Sequence, residues 1–307
     1  MATTIRTDTI IPEVLEDAVR GEFEGVQALY GSGAAFVTGR GWPGARGGDT
    51  IKIPYFGTIG EFEDLAADEG AGGAIPALTP AKITMSSETA TVQHSGKAIE
   101  VTEWAQLAAA YADPYAEAAR QIRRGFERRI DLKLLTEAAT TTLENDIYDP
   151  ANAATGQLTW ESLLDGRFLW GDEQEDIALA VMHSAVALDL LKQKDLDDQP
   201  LYAGTVEGAM IRLPGIGVPV RISDRATSTL DAGGGGTATA YETLILKRNS
   251  LALWFSGGEN QEIQTDRDIL ADTHIAALHT YYAAHRYTRM AGSTKTGIVK
   301  IRHNLAA

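Results

Sequence analysis

The chain has 307 residues, 44% of them hydrophobic and 22% charged, and is long enough to bury a full core. It contains no cysteine, which excludes disulfide frameworks, thiolate zinc sites, iron–sulfur clusters and cysteine nucleophiles. With 42 Asp+Glu against 27 Lys+Arg the net charge is -15, the wrong sign for gripping nucleic acid through its phosphates but not for enclosing it.

Length alone predicts about two domains. No run of about 18–20 apolar residues is present, so no membrane-spanning helix is expected. The opening MATTIRTDTIIPEVLEDAVRGEFEG has no apolar core and carries acids early, which is unlike a secretory signal and predicts a protein that stays soluble in a cytoplasm. From Thr9 to Ala28, Val14, Leu15, Ala18, Val19, Phe23 and Val26 recur at helical spacing after Pro12, predicting a short amphipathic helix. Gly31 to Gly48 is glycine-rich and reads as an irregular arm. Strand alternation follows over Thr50–Tyr55, and Pro54 within it points to a strand at a sheet edge. After the Gly/Pro-rich loop from Glu61 to Pro80, two further strand-like runs between Lys82 and Thr102 join near His94-Ser95-Gly96. Gly47 to Thr102 thus reads as a long two-stranded arm, and an isolated hairpin of this kind is marginal without an outside partner.

The strongest periodicity starts at Thr102. Trp104, Leu107, Tyr111, Tyr115, Ala118, Ile122, Phe126, Ile130 and Leu134 fall at steps of three or four, and Glu117, Arg120, Arg123, Arg124, Glu127, Arg128 and Asp131 are placed on the opposite face. This is a long spine helix, kinked or restarted at Asp113-Pro114, where Pro suits a first turn. The segment ENDIYDPANAATGQ reads as a loop and Thr159-Trp160-Glu161-Ser162 as the opening of a short helix. Asp172 to Asp176 is an acidic turn, and IALAVMHSAVALDLLKQ a buried strand–helix pair with His183 as a satisfied core histidine. Short strands cut by Gly and Pro turns run from Pro200 to Arg225. DAGGGGT is a loop tip, and two strands are expected to pair as a hairpin around Lys247–Ser250. A long strand is predicted from Thr273 towards Met290, and a last one at GIVKIRHN.

The chemistry is sparse. His274 and His279 lie five apart, which does not place two imidazoles on one helix face. DAGGGGT lacks the Gly-Lys-Ser/Thr of a phosphate loop, and Gly215-Ile216-Gly217 precedes a strand instead of a helix. No Gly-x-Ser-x-Gly elbow occurs. Asp195, Asp197 and Asp198 lack the spacing of a calcium loop, and Glu61 and Glu63 read as a solvated pair. Arg123, Arg124, Arg128 and Arg129 either pair with Glu117, Glu127 and Asp131 on their own helix or form an ion-pair belt between subunits. No catalytic, cofactor or metal residue is expected, and the chain reads as a non-enzyme.

Four stretches carry a resemblance in order along residues 45–305. Gly48-Asp49-Thr50-Ile51-Lys52-Ile53-Pro54 resembles the entry to the extended loop of the major capsid proteins of tailed double-stranded DNA phages, the Hong Kong 97 fold shared with encapsulins. Lys97-Ala98-Ile99-Glu100-Val101-Thr102-Glu103 resembles the approach to the spine helix of that family. Ala180-Val181-Met182-His183-Ser184 with Leu188 and Leu191 resembles its core helix, and Gly217-Val218-Pro219-Val220-Arg221-Ile222-Ser223-Asp224 the turn and strand that follow.

The resemblance implies an α+β fold with an N-terminal arm (1–46), an extended β-hairpin loop (47–102), a peripheral domain with the spine helix (103–199), an axial domain (200–272) and return strands (273–307). It implies a structural subunit that self-assembles into hexamers and pentamers of an icosahedral capsid. That capsid would enclose double-stranded DNA without sequence-specific binding, with an encapsulin-type cargo compartment as the alternative. Implied partners are further copies of the chain, a scaffolding protein, a portal and a decoration protein, with no membrane. No cofactor is implied, and the expected location is the virion, with assembly in the host cytoplasm. The long N-terminal scaffolding region of some members is missing here, so the scaffolding protein is expected to be separate. Contacts between subunits are expected at Trp42, Phe56, Phe62, Lys97, Arg123, Arg124 and Arg128. No acceptor aligns for a Lys–Asn crosslink from Lys82 or Lys97, so none is carried over.

Overall fold

The computed structural model describes residues 28–38, 50–57, 78, 80, 82–108, 114–149, 156–193, 205–207, 210–212, 219–226, 228–230, 239–255, 264–268, 270–290, 293 and 295–305. In chain order these form β1 (Ala35–Thr38), β2 (Thr50–Phe56), β3 (Met85–Thr91), β4 (Gln93–Thr102), α1 (Glu103–Ala108), α2 (Pro114–Ala139), β5 (Glu144–Asp146), α3 (Trp160–Phe168), β6 (Ile177–Met182) and α4 (Ser184–Lys192). Then come β7 (Thr205–Glu207), β8 (Met210–Arg212), β9 (Pro219–Ile222), β10 (Ser228–Leu230), β11 (Thr239–Lys247), β12 (Leu251–Phe255), β13 (Gln264–Asp268), β14 (Thr273–Arg286) and β15 (Ile298–His303). Of the expected features, the helix from Thr9 (all but Ala28), Trp42, Phe62, the Glu61–Glu63 pair, Asp195–Asp198 and the DAGGGGT tip lie outside the described residues.

Three sheets are present among the described residues. One runs β1-β12-β14-β13, with β4 also on β14. The second, eight-stranded, runs β5-β15-β11-β6-β9-β8-β7, with β10 on β11. The third is the isolated pair β2–β3. The second sheet crosses the boundaries expected from sequence: β6 from the 103–199 segment and β15 from the 273–307 segment both pair with β11 from the 200–272 segment.

The described part of the spine is α1 and α2, and the stretch 109–113 between them lies outside the described residues. Pro114 opens α2, whose 26 residues span about 39 Å at 1.5 Å each. Along its first half Ile122 and Phe126 pack on Ala276 and Leu278 of β14. Its second half buries Ile130, Leu134, Leu135 and Ala138 in a core shared with Leu244, Leu253, Phe255 and Tyr282. Each fully buried side chain of this size contributes about 1.5–3 kcal/mol. A second core, around Trp170, Met182, Leu190 and Ile301, seats α3 and α4 on the eight-stranded sheet.

α3 starts with a capping box: the Ser162 amide donates to Thr159 Oγ1 and the Thr159 amide donates to Ser162 Oγ. A Cβ at Gly166 would stand 2.6 Å from Ile301 Cδ1, so only glycine lets α3 come this close to β15. Past its end, Gly171 takes φ 67, and Lys295 Nζ donates to the carbonyls of Leu169 and Trp170.

The long strand β14 and the last strand β15 match their sequence reading. Five other expectations are corrected. The arm read as irregular contains β1, which runs parallel to β12 with Ala35 opposite Leu251. The loop after the spine contains β5, parallel to β15, with Lys300 Nζ 2.9 Å from the Glu144 carboxylate. The strand runs before the spine break at Val92, not at His94–Gly96. There the chain leaves the two-stranded pair and enters the first sheet, so 93–102 is not part of the arm.

Lys247–Ser250 turns the chain but makes no hairpin, because β11 and β12 belong to different sheets. The turn's amides go elsewhere: Lys247 to Gly297 O, Arg248 to Asp176 O, Asn249 to Gly33 O and Leu251 to Ala34 O. His183 is half-buried and not a core residue; its Nδ1 accepts the Ala185 amide and caps α4.

Candidate assembly surfaces

Two fixtures decide where the extended parts of the chain leave the body. The first is Asp131. The sequence reading set it on the charged face of α2, but its side chain is wholly buried. Its carboxylate accepts the amides of Ala28, Leu29 and Tyr30 at 3.0, 2.7 and 3.1 Å. Arg221 Nη1 donates to the Ala28 carbonyl at 3.3 Å. The root of the N-terminal arm is therefore bonded to the middle of α2. A signal was present in the sequence: Asp131, Leu134, Leu135 and Ala138 stand at i, i+3, i+4 and i+7, which puts the acid on an apolar stripe.

The second fixture holds the arm β2–β3. Its base packs Ile51 and Ala90 on Ala252, Trp254 and Ala283. Above that base Glu88 of β3 meets His285 Nε2 of β14 at 2.7 Å, and the amide and hydroxyl of Thr288 both donate to the same carboxylate. Burial opposes ionisation of Glu88, but the donors from Thr288 and His285 outweigh it and hold the carboxyl below its ordinary range. No sequence pattern marks this contact, since the partners are 197 residues apart.

Beyond the base the arm is exposed. Phe56 stands opposite Met85 at the far end of the pair, and both are more than two-thirds solvent-exposed, with exposed Ile83 and Leu78 beyond. Between arm and body lies an open cleft of about 1030 Å³ lined by Pro54, Glu88, Glu173, Lys247, Arg248 and Tyr287. Lys247 Nζ donates to the Glu173 carbonyl and lies 5.0 Å over the Trp170 ring. Burial pushes its ammonium below the ordinary lysine value, partly offset by Glu173 and Asp176. These contacts fasten the 172–176 turn. They make no nucleophile–base pair, and no group of three metal-ligating side chains occurs among the described residues.

On α2, Arg123, Arg124 and Arg128 are exposed, as is Lys97 on β4. Pairing within the helix differs in detail from expectation: Glu117 is bonded by Arg120 at 2.6 Å and by Gln121 at 3.0 Å, while Arg124 acts on the same carboxylate only through its charge. Phe56 is on the arm, Lys97 of β4 and Arg129 of α2 line one groove, and Arg123, Arg124 and Arg128 are exposed on the spine. Trp104 and Leu107 of α1 add a further exposed apolar pair beside the Arg267–Glu103 bridge of 2.6 Å.

The model of the Gp13-like family, described as "Major capsid protein 13-like", matches residues 77–269. No curated protein matches the sequence. Among solved structures, the capsid of a native GTA particle superposes with a TM-score of 0.68 at 14% identity over 97% of this chain and 96% of that one. The capsid of Ralstonia phage GP4 superposes with 0.64 at 9% identity over 96% of both chains. Mycobacterium phage Cain gives 0.64 at 12% identity over 100% of both. At these identities the superpositions establish the fold, the α+β capsid fold anticipated from the sequence motifs.

Proposed function

Because the chain belongs to the Gp13-like family of major capsid proteins, we propose that copies of it close into an icosahedral shell of hexamers and pentamers enclosing double-stranded DNA. Its role is structural, and it is not an enzyme. The relatives found are capsids of phages and of a GTA particle, which favours a virion shell over a cargo compartment.

One observation carries the assembly reading. The pair β2–β3 rests on a small apolar base and a hydrogen-bonded clamp at Glu88, while Phe56 and Met85 at its far end stay in water. A two-stranded ribbon is marginal alone, and contiguous exposed apolar surface marks an interface. Residues 47–92 serve in this reading as the extended loop that lies on a neighbouring copy. Phe56 and Phe62 supply its apolar contacts, and Trp42 belongs to the N-terminal arm's contact. Lys97 and the exposed Arg123, Arg124 and Arg128 supply the charged contacts of the spine. Residues 103–199 serve as the peripheral region, 200–272 as the axial region and 273–307 as the return strands. Many modest contacts of this kind sum to a stable closed shell.

The net charge of -15 supports enclosure without grip, since an acidic wall lets packed DNA slide. A scaffolding protein, a portal and a decoration protein complete the set of partners, and assembly takes place in the host cytoplasm. Negative-stain electron microscopy with light scattering tests the reading. Closed particles of tens of nanometres are expected, alone or on co-expression with the scaffolding partner, and deletion of residues 61–79 should leave the subunit folded but abolish them. A protein that stays monomeric under both conditions, or a deletion that still builds normal particles, overturns it.

A further inference from the structure

One end of the five-stranded sheet carries an apolar patch separate from the arm. There the start of α1 meets the turn at 270–272. The Glu103 amide donates to the Asp272 carbonyl at 3.0 Å, and Arg267 Nη2 bridges the Glu103 and Asp272 carboxylates at 2.6 and 3.1 Å. The Asp268 carboxylate accepts the amides of Leu270 and Ala271 at 2.9 and 3.3 Å. The turn is thus held in shape, and on it Leu270 is 99% exposed, with Trp104 and Leu107 of α1 also mostly in water. An apolar side chain on a fixed turn costs little ordering to cover, which suits an interface anchor. The same end carries Glu103, Asp266, Asp268 and Asp272 with one cation, Arg267. A surface of the opposite kind lies between α2, β4 and β14. It is a groove of about 290 Å³, floored by Ile99, Ile122, Phe126 and Leu278 and rimmed by Lys97 and Arg129. No carboxylate lines it among the described residues, and the exposed Arg124 and Arg128 extend the positive charge along α2.

We propose that the Leu270 turn of one copy seats in this groove of the next copy, with its carboxylates against Lys97 and Arg129. The inference rests on the assembly reading above and names the two surfaces that meet. The chain does not make the contact with itself. From Thr273 at the turn to Leu278 in the groove the strand runs five residues, about 17 Å, and the bonds to α1 keep the turn from folding back. The arm tip matches the groove less well, because Phe56 and Met85 are flanked by Pro54, Tyr55, Ser86 and Ser87, none of them acidic. Ion pairs at a wet rim contribute little affinity, so the leucine supplies the binding and the charges set the register. Knob and groove are different surfaces, so the contact is head-to-tail, and head-to-tail contacts that close make rings.

The absence of cysteine makes the test direct. In the full chain, Leu270→Cys with Gln121→Cys, a groove-lining position on α2, places one thiol on each side of the contact. A short bismaleimide added to the assembled protein, whether particles or smaller oligomers, should link copy to copy. Denaturing gels are expected to show a ladder running to pentamer and hexamer, and neither single-cysteine variant should give it. Product that stops at dimers, a ladder from one cysteine alone, or links confined to one chain by peptide mass mapping overturns the proposal. A second readout uses Leu270→Asp, which leaves circular dichroism unchanged because the side chain is already in water. Particle yield should fall about ten-fold, while Leu270→Met retains it. An unchanged yield for Leu270→Asp overturns the proposal. Closed particles without the ladder overturn this contact and leave the capsid reading standing. A chain that neither builds particles nor self-associates at any concentration overturns both.

Discussion

Strands β12 and β3 are both short, yet their surroundings are opposite. All five residues of β12, Leu251–Phe255, are buried, held between β1 and β14 with side chains in two cores. In β3, Met85–Thr91, only Ala90 is buried, and that residue sits where the arm meets the body. One strand is complete within its own chain. The other has a single strand partner, a small base and a clamp at Glu88, and the rest of its length is exposed. In the proposed reading the first kind belongs to a body that folds alone and the second to an extension that is buried on assembly.

The comparison can be broken at the body first. Ile130→Asp buries an unpaired carboxylate in the central core and is expected to cost more than about 4 kcal/mol, abolishing folding; a native circular dichroism spectrum would contradict this. Asp131→Ala leaves three arm-root amides without an acceptor and should cost about 3 kcal/mol in urea unfolding. A loss below about 0.5 kcal/mol would show that the arm root is not fixed there.

Acid distinguishes the two regions. His303 is buried and neutral, with Nε2 3.0 Å from Thr243 Oγ1 and Nδ1 3.0 Å from the Asn304 carbonyl. Burial lowers its pKa from 6.5 to about 4. The unfolded chain therefore takes up this proton first. His303 contributes fully above pH 6.5, and about 3 kcal/mol is lost as pH falls to about 4. His303→Gln should flatten stability against pH over that window, and an unchanged slope would contradict the assignment. Glu88 acts lower: its folded pKa lies below 4.5, so the clamp's contribution is present above that value and fades as pH drops beneath it. Body stability should thus decline at a higher pH than arm protection in hydrogen exchange.

The arm itself should respond weakly in stability and strongly in assembly. Glu88→Gln keeps the shape and removes the charge. It should cost about 1 kcal/mol while speeding amide exchange in β2–β3. The smallest stability change is expected for Phe56→Ser, within about 0.5 kcal/mol because the side chain is already in water, together with a clear drop in particle yield. Normal particle yield would remove Phe56 from the interface.

Much of the fold was legible where its cause is local. The α2 periodicity, the place of Pro114 in its first turn, the Thr159–Ser162 cap and the alternation of β14 depend on residues within about four positions of each other, and periodicity and capping report such contacts directly. Pro54 likewise announced a strand with one neighbour, as β2 has. Of the candidate surface, the sequence singled out Phe56, Lys97 and the spine arginines by exposure-prone chemistry, but it did not show that Arg120 is the residue that bonds Glu117.

Only the tertiary structure decided the rest. It separated β11 from β12, formed the short parallel strands β1 and β5, joined His285 to Glu88, and turned Asp131 inward to hold residues 28–30. Each of these depends on groups more than a hundred residues apart, such as the 102 between Leu29 and Asp131. A backbone amide or buried carboxylate must find a partner somewhere, and where it does so depends on which segments the whole chain brings alongside. Spacing along the sequence carries the first kind of information and not the second.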